Sequence, residues 1–388
     1  MPNFMIEDQE KIYWLAWSKI KGLGAVSLKK IYDYFGSLEL AWKVSPQELI
    51  KIEGIGKKLC NSIQEEKIKI EPENLYLKHL EKNPNFWTPN EKEYPQLLLE
   101  IPSPPAILYY QGKVNLAENQ GINPLIGIVG TRKPTEHGKK WTYNIAKALA
   151  ENGFTVVSGL AEGIDTQAHR GCLDGGGRTI AILGNGLDRA YPSSNRQLMA
   201  EIAEKGLIMT EYEYGSTPER SNFPARNRIV AGLCRAVLVM EAPEKSGALI
   251  TARYANEFNR DVYTLPNTPD NVQARGCLRL IHNGAEVIIT PEELLASLGV
   301  IPSLVEGQQL SLFSASSPSI PQKTKEEPIL SSTFRIIYDQ IDVNPTSFDV
   351  IVEKSFLNSG EVSGILLQLE LEGLITQLPG MMYQRINN

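Results

Sequence analysis

The amino-acid sequence predicts an α/β fold built on a doubly wound, mostly parallel sheet. Between about Leu125 and Leu298, short runs rich in β-branched residues alternate with longer segments of helical spacing. The runs are apolar throughout, which indicates strands that helices cover on both faces. The strands predicted for this Rossmann-like core, residues 121–300, are LIGIVG, TVVSG, TIAILG, LIMTEY, AVLVME, DVYTLP and AEVIIT.

Residues 1–72 are predicted to form a separate helical domain. Apolar residues recur at helical spacing in four segments, DQEKIYWLAWSKI, SLKKIYDYF, SPQELIKI and KKLCNSIQ. Two joints between them, KGLGAVSLKK and EGIGKKLC, contain Gly-x-Gly followed by lysines. This pattern resembles the helix-hairpin-helix module, whose backbone N–H groups approach a phosphate because glycine has no side chain to block it. Alternatively, the glycines only turn the chain between packed helices, and both interpretations stay open.

The connecting segments differ in composition from the domains. Residues 73–120 contain many prolines and aromatic residues, which favour an extended connector packed on the core domain. Residues 301–327 are rich in Ser, Pro and Gln without periodicity and are predicted to be a flexible linker.

Residues 328–388 are predicted to fold as three helices and a short hairpin of strands, which resembles a winged-helix domain. A helix that reads bases in the major groove presents Arg, Lys, Asn or Gln at its N-terminal half. No Arg or Lys occurs between Leu357 and Leu378. A structural or protein-contact role is therefore favoured over sequence-specific regulation of DNA through this domain.

Composition excludes several classes of protein. The 388 residues are 42% hydrophobic and 22% charged, without an apolar run long enough to span a membrane. The acidic N-terminal sequence does not resemble an export signal, so a cytoplasmic protein without a membrane partner is expected. The four cysteines and four histidines are dispersed, and neither a metal site nor a cofactor is predicted. The net charge of −6 still permits a local basic site.

The ends of the predicted strands carry the candidate site, because ligands of such sheets bind beyond the carboxyl ends of the strands. The first strand leads into GIVGTRKPTEHG and the second into SGLAEGIDTQAH. Arginine at a strand end can contact a phosphate through two N–H groups. The residues selected from these two loops are Gly130, Thr131, Arg132, Ser158, Gly159 and Gly163.

Ser158, Asp165 and His169 have the residue types of a hydrolase triad, but Ser158 lacks the G-x-S-x-G elbow. A helix-capping role for Asp165 and a packing role for His169 are therefore preferred.

The fourth strand is followed by a basic segment with one phenylalanine, EYGSTPERSNFPARNRIVAG. Arginines together with an exposed aromatic ring are typical of single-strand nucleic-acid sites, in which a base stacks on the ring. Arg226 and Arg228 are expected in the first turn of a helix, where cations are unfavourable unless an anion binds. The alternative is that Phe223 belongs to the core and the arginines pair with acids such as Glu219 and Glu241. The residues selected here are Arg220, Asn222, Phe223, Arg226, Asn227 and Arg228.

After the fifth strand, Ser246 and Gly247 precede a predicted helix and offer free N–H groups to a phosphate. The candidate residues converge on one sheet edge without an obvious catalytic carboxylate. This favours a phosphate-rich ligand that is bound and not cleaved, and no catalytic residue is assigned.

These motifs resemble those of the DprA/Smf family. The matching segments, in the family's order, are YPQLLLEIPSPPAILYYQG, GIVGTRKPTEHG, SGLAEGIDTQAH, ILGNGLDRAYPSSN, FPARNRIVAGL and SGALITARYA. The resemblance implies a sequence-independent single-stranded DNA-binding protein, not an enzyme. Such a protein protects incoming DNA, works beside single-strand binding protein and loads the RecA recombinase in natural transformation or recombination. It also implies a SAM-like N-terminal domain, a winged-helix C-terminal domain and a homodimer formed through the Rossmann-like domain.

By this resemblance, Arg132 is a principal DNA contact and Arg220 a second one. Phe223 stacks on or flanks a base, and Arg226 and Arg228 support the same pocket. The sequence departs from the family pattern at Asn267, which replaces the glycine that usually follows Leu-Pro or Val-Pro, and at Leu278, which replaces an asparagine.

A nucleotide-processing enzyme of the phosphoribohydrolase type is the alternative on the same sheet. Its Pro-Gly-Gly-x-Gly-Thr-x-x-Glu motif is absent, and SGALITARYANE stands at the corresponding place.

Overall fold

The computed structural model describes residues 6–299, 332–341, 346–355, 357, 359–371, 374–378 and 382–385. The chain divides into two compact units, residues 1–303 and residues 304–388. The predicted linker over residues 301–327 lies outside the described residues. In the parts of the chain that the structure describes, no helix has both the length and the apolarity needed to cross a membrane.

The N-terminal region is helical, as predicted. Its two Gly-x-Gly joints have the same geometry, since Gly22 and Gly54 adopt positive φ while Gly24 and Gly56 directly precede a helix. A buried cluster that includes Trp14, Trp17, Leu28 and Ile63 joins these helices. The six helices are α1 (Ile6–Ser18), α2 (Ala25–Phe35), α3 (Leu38–Lys43), α4 (Pro46–Leu49), α5 (Lys57–Lys67) and α6 (Pro72–Leu80).

The connector contributes two strands to the sheet. It contains β1 (Phe86–Trp87), α7 (Gln96–Leu99), β2 (Leu108–Gly112) and α8 (Leu116–Asn119). Strand β1 pairs antiparallel with β2, and β2 pairs antiparallel with a strand of the core, with Tyr109 opposite Thr210. The boundary predicted at residues 120–121 therefore cuts through one continuous sheet. The two strands were missed because β1 has only two residues and the partner of β2 lies far along the chain.

The core alternates strands and helices as predicted, and all seven predicted strands are present. The sheet order is β1-β2-β6-β5-β4-β3-β7-β8-β9, in which β3 to β9 run parallel. The elements are β3 (Leu125–Val129), α9 (Glu136–Glu151), β4 (Thr155–Ser158), α10 (Ile164–Asp174), β5 (Thr179–Leu183), α11 (Arg196–Lys205), β6 (Leu207–Thr210), α12 (Asn222–Leu233), β7 (Ala236–Val239), α13 (Ala248–Glu257), β8 (Asp261–Thr264), α14 (Arg275–His282), β9 (Glu286–Val287) and α15 (Pro291–Ser297).

Helices cover both faces of this sheet. Along β3, Leu125 and Val129 join the cluster under α12 and α13, whereas Ile126 and Ile128 join the cluster under α9 and α10. The chain order reverses between β3 and β7, so that loops diverge there and leave a crevice at the carboxyl ends of the strands.

The C-terminal unit has the predicted winged-helix order. Its strands form a separate sheet of order β10-β12-β11, and its core includes Ile351, Leu366 and Tyr383. Its elements are α16 (Ser332–Tyr338), β10 (Thr346–Ser347), α17 (Phe348–Ser355), α18 (Ser359–Leu371), β11 (Ile375–Leu378) and β12 (Met382–Arg385).

Candidate nucleic-acid interface

A cavity of about 590 Å³ opens at the carboxyl ends of the central strands, where the sheet order reverses. It lies between the loop after β3, the loop after β4, the start of α12 and the start of α13. Most residues selected from the sequence line it, namely Gly130, Thr131, Arg132, Gly159, Arg220, Phe223, Arg226, Asn227, Ser246 and Gly247.

Three selected side chains are directed elsewhere. The Ser158 hydroxyl is fully buried and donates to the Ile128 carbonyl at 2.6 Å. The Asn222 amide donates to the Gly184 carbonyl at 3.1 Å. The Arg228 guanidinium forms an ion pair with Glu211 at 2.6 Å. These groups hold the loops around the cavity in place and do not line it.

Gly163 supports the cavity from behind. It has a φ of +83°, and a Cβ atom there would lie 2.4 Å from the Thr131 carbonyl oxygen, so that only glycine fits against the Arg132 loop. Thr131 itself donates its N–H to the Glu241 carbonyl at 2.7 Å and accepts from the Ile164 N–H at 3.2 Å. The backbone next to Arg132 is thereby fixed, whereas the Arg132 side chain is exposed.

The two departures from the family pattern lie outside the cavity lining. The side-chain amide oxygen of Asn267 accepts from the Thr268 N–H at 2.8 Å, and Leu278 is half-buried on α14.

The expectation that Arg226 and Arg228 lie in the first turn of a helix is wrong. Helix α12 begins at Asn222, and the proline of its first turn, Pro224, needs no N–H partner there. Arg226 therefore lies in the second turn, where only 5% of it is exposed. Its guanidinium donates to the carbonyls of Gly159, at 2.8 Å, and Ile182. The charge is thus met by two strand-end carbonyls and by the nearby carboxylate of Asp165.

Close approach explains the glycine after β4. A Cβ atom at Gly159 would lie 2.5 Å from a guanidinium nitrogen of Arg226. Burial lowers the pKa of Arg226 to about 10, against the opposing influence of Asp165, so that it keeps its charge at neutral pH. Burial raises the pKa of Asp165, and the nearby charge of Arg226 opposes that shift.

The triad residue types do not form a triad. The Asp165 carboxylate accepts from the N–H groups of Gly159, at 3.1 Å, and Ala161, at 3.3 Å. His169 is fully buried, and its Nδ1 lies 2.6 Å from the Thr179 hydroxyl. The Ser158 hydroxyl donates its proton to the Ile128 carbonyl and not to His169. The packing role predicted for His169 agrees with this arrangement, whereas Asp165 organises the β4 loop and does not cap its own helix.

His169 should make the fold sensitive to acid. Burial, followed by the charge of Arg226, lowers its pKa from 6.5 to about 3. Between those values the unfolded chain binds a proton that the folded chain does not, so that stability falls as pH decreases. Between pH 7 and pH 5, the free energy of unfolding of the wild type should therefore fall by about 1 to 2 kcal/mol more than that of His169→Gln. Urea unfolding at both pH values measures this, and equal losses in the two proteins would contradict it.

An aromatic pair lies at the mouth of the cavity. The rings of Tyr191 and Phe223 stack with their centroids 5.2 Å apart and an interplanar angle of 29°. The Arg132 guanidinium lies 5.4 Å from the Phe223 ring centroid, within the range of a cation–π interaction. Tyr191 was not selected from the sequence. The only signal for it is an aromatic residue in the glycine-opened loop NGLDRAYP, and nothing local in that loop indicates its distance from Phe223.

Three cations line the same cavity as the rings. Arg132, Arg220 and Lys245 are exposed, and within residues 6–299 none of them has an acidic partner. Lys245 was not selected from the sequence, although it directly precedes Ser246 and Gly247 at the start of α13. Of the acids proposed as alternative partners, Glu241 is engaged elsewhere, since its carboxylate accepts from the Thr135 N–H and hydroxyl at 2.7 and 2.9 Å. The cavity therefore combines positive charge with an aromatic surface, which are the requirements for single-stranded nucleic acid.

The start of α13 completes the cavity. The Asn227 amide donates to the Gly247 carbonyl at 3.2 Å, which ties α12 to this helix start. The Ser246 hydroxyl accepts from the Ala248 N–H at 3.3 Å. Among the described residues, no group of His, Cys, Asp and Glu side chains is arranged to bind a metal ion.

Comparisons with known proteins agree with this architecture. A family model described as DNA recombination-mediator protein A matches residues 85–299, a DprA winged helix domain matches residues 321–381, and a SAM-like helix-hairpin-helix tandem matches residues 17–66. Protein Smf of Synechocystis sp. is 52% identical and covers 97% of this chain and 99% of its own. A DNA processing protein DprA of Streptococcus pneumoniae is 42% identical over 52% of this chain and 70% of its own.

Solved structures show the same fold. The X-ray structure of DprA from Streptococcus pneumoniae has a TM-score of 0.65 and 34% identity, and it covers 74% of this chain and 97% of its own. DNA processing protein A from Helicobacter pylori, described for its single-stranded DNA binding mode, has a TM-score of 0.50 and 32% identity, with coverages of 56% and 97%. The family model over residues 85–299 and the relative that is 52% identical along nearly the whole chain show that this chain belongs to the DprA/Smf family of DNA-processing proteins.

Proposed function

We propose that this protein binds single-stranded DNA, without regard to sequence, in the strand-end cavity of its Rossmann-like core. The observation that carries the proposal is the stacked Tyr191–Phe223 pair in one cavity with three cations, Arg132, Arg220 and Lys245, that have no acidic partner in the described part of the chain. Backbone phosphates are neutralised by the cations, while a base stacks on the exposed aromatic surface. Neither contact reads the identity of a base, so the binding tolerates any sequence.

The cavity is proposed to hold DNA and not to cleave it. Among the described residues that line it, the one acid, Asp165, is buried and accepts hydrogen bonds from two loop N–H groups, so that it is not available as a free base. The phosphoribohydrolase alternative would require a carboxylate positioned at the glycosidic bond. Release of base from AMP or CMP by the purified protein would support that alternative.

Membership in the family supports the wider role. The matching model is named for recombination mediation, and we propose that the protein protects incoming DNA and loads RecA on it during natural transformation or homologous recombination. Its proposed partners are RecA, single-strand binding protein and a second copy of the chain that pairs through the Rossmann-like domain. The proposed place of action is the cytoplasm.

A salt series tests the proposed binding. Fluorescence anisotropy with oligothymidylate and with a duplex of equal length measures both affinities between 50 and 200 mM salt, the span over which phosphate contacts weaken binding most visibly. We expect tighter binding of the single strand, with an affinity that falls steeply with salt because each phosphate contact releases a counterion. Equal affinity for both forms, or binding that is insensitive to salt, would contradict the proposal.

Phe223 should contribute stacking without contributing charge. We expect Phe223→Leu to weaken oligothymidylate binding about five-fold, at the lower end of the effect of removing one stacking ring. The slope of affinity against salt should stay unchanged, since no cation is lost. Phe223→Tyr retains the ring and is the matched control. A Phe223→Leu protein that binds as tightly as the control would show that no base stacks there.

A further inference from the structure

The loop between β6 and α12, residues 211–221, places Arg220 at the cavity. Residues outside the sheet hold this loop in position. One of its anchors comes from the helical domain and a second from the connector. Glu213 forms an ion pair with Lys19 at 2.5 Å, and the Tyr214 N–H donates to the Asn83 side-chain oxygen at 2.8 Å. Lys19 follows α1 directly and precedes the first Gly-x-Gly joint. The helical domain and the DNA site are thus connected through this loop.

The anchors fix only the first half of the loop. Beyond these two contacts, the Gly215 N–H donates to the Asp188 carboxylate at 2.8 Å, and the Ser216 carbonyl accepts from the Gly186 N–H at 3.1 Å. After Ser216, the first backbone bond is the one from the Asn222 N–H to the Glu219 carbonyl, at the start of α12. Arg220 therefore projects from a short span between two fixed points, and its position depends on where the first half is held.

Lys19 is the cation that holds Glu213. The other basic group nearby, His79, lies 3.9 Å from the same carboxylate, but burial and the charge of Lys19 lower its pKa to about 4. At neutral pH His79 is uncharged, and its Nε2 lies 3.1 Å from the Tyr109 hydroxyl. The first Gly-x-Gly joint with the start of α2, here called the first hairpin (residues 19–25), faces the loop across a cavity of about 350 Å³, lined by Leu23 and Ala25 on one side and Glu213 and Ser216 on the other. That cavity leaves room for the loop to shift when the ion pair is lost.

We infer that Lys19 is a positioning residue for DNA binding: through its ion pair with Glu213, the helical domain sets the position of Arg220 in the strand-end cavity. This inference rests on the proposed function. It gives the first hairpin a role within the molecule that does not require the hairpin itself to contact DNA.

Charge reversal tests the inference. We expect Lys19→Glu, which places like charges together, to weaken oligothymidylate binding about five-fold, and Lys19→Glu with Glu213→Lys to restore it to within about two-fold. Lys21→Glu is the matched control, because Lys21 lies in the same hairpin, is exposed and has no acidic partner within residues 6–299. It makes the same change in net charge, and we expect it to remain within about two-fold of the wild type.

A double-mutant cycle with Arg220→Ala separates positioning from general electrostatics. If Lys19 acts through Arg220, Lys19→Glu should have little further effect in the Arg220→Ala background. Glu213→Gln is a milder variant that removes the same ion pair, and it should also weaken binding. Thermal unfolding of each variant shows whether a folding defect accounts for its loss of binding.

Three results would overturn the inference: wild-type binding by Lys19→Glu, an equal loss in the Arg220→Ala background, or no recovery in the charge-swapped protein. Wild-type binding by Arg220→Ala would overturn the proposed site as well. A loss in Arg220→Ala without a loss in Lys19→Glu would overturn the positioning role alone.

Discussion

Arg132→Ala is expected to weaken oligothymidylate binding by about ten-fold to one hundred-fold, as is typical of losing a charge-assisted hydrogen bond to a phosphate. Arg132 is exposed at the end of β3, with its backbone fixed by Thr131 and its guanidinium over the Phe223 ring. Its removal takes away the cation that lies next to the proposed stacking surface. The slope of log affinity against log salt should also fall by about one phosphate contact. Fluorescence anisotropy across a salt series measures both quantities.

Lys133→Ala is the matched control for Arg132→Ala. Lys133 is the next residue and is also exposed, but it does not line the cavity. Its loss changes the net charge equally and should reduce affinity less than about three-fold, since only long-range attraction is lost. If the two variants weakened binding equally, the cavity would contribute general positive charge and no specific contact.

Arg226→Met is expected to destabilise the fold by about 3 kcal/mol, because it leaves a buried charge without its counter-charge. The buried guanidinium bonds to the carbonyls of Gly159 and Ile182, and its charge faces the buried Asp165. Methionine fills much of the volume of the arginine side chain, but it has no N–H group to donate to either carbonyl. The free energy of unfolding in urea measures the loss.

Asp165→Asn in the Arg226→Met background separates the charge from the packing. The double variant removes the unpaired carboxylate, and we expect it to recover part of the lost stability, so that the two changes are not additive. Arg228→Met serves as a comparison, because the partly exposed Arg228–Glu211 pair should contribute less than a buried charge. A stable Arg226→Met protein with weak DNA binding would show that Arg226 acts mainly on DNA.

The sequence predicts the core better than its edges. The runs that form β3 to β9 are apolar and helix-separated, and local pattern is sufficient for strands of this kind. Strands β1 and β2 depend on pairing with β6, whose residues lie about a hundred positions downstream, and proline-rich context hides them. Arg226 and Arg228 are expected in the first turn of α12, but the helix begins at Asn222 and its first turn accommodates Pro224.

Site residues in loops with a distinctive composition directly after a strand could be predicted from the sequence. Those that meet only because distant loops come together could not be predicted as well. Arg132 and Phe223 follow from glycine-rich or basic loops after strands. Tyr191 and Lys245 join them only through the three-dimensional arrangement of separate loops. Burial separates Arg226 from the exposed arginines, and no feature of FPARNR indicates that one guanidinium reaches strand carbonyls while the next pairs with Glu211.

Photochemical crosslinking tests the location of the DNA most directly. Oligothymidylate that carries 5-iodouracil, bound to the full-length protein and irradiated, crosslinks to aromatic side chains in stacking contact. We expect mass spectrometry of the digested complex to identify Tyr191 or Phe223 as the crosslinked residue, with loss of that crosslink in Arg132→Ala. Crosslinks confined to the helix-hairpin-helix region or the winged-helix unit, with none at the strand-end cavity, would contradict the assignment of this cavity as the DNA site.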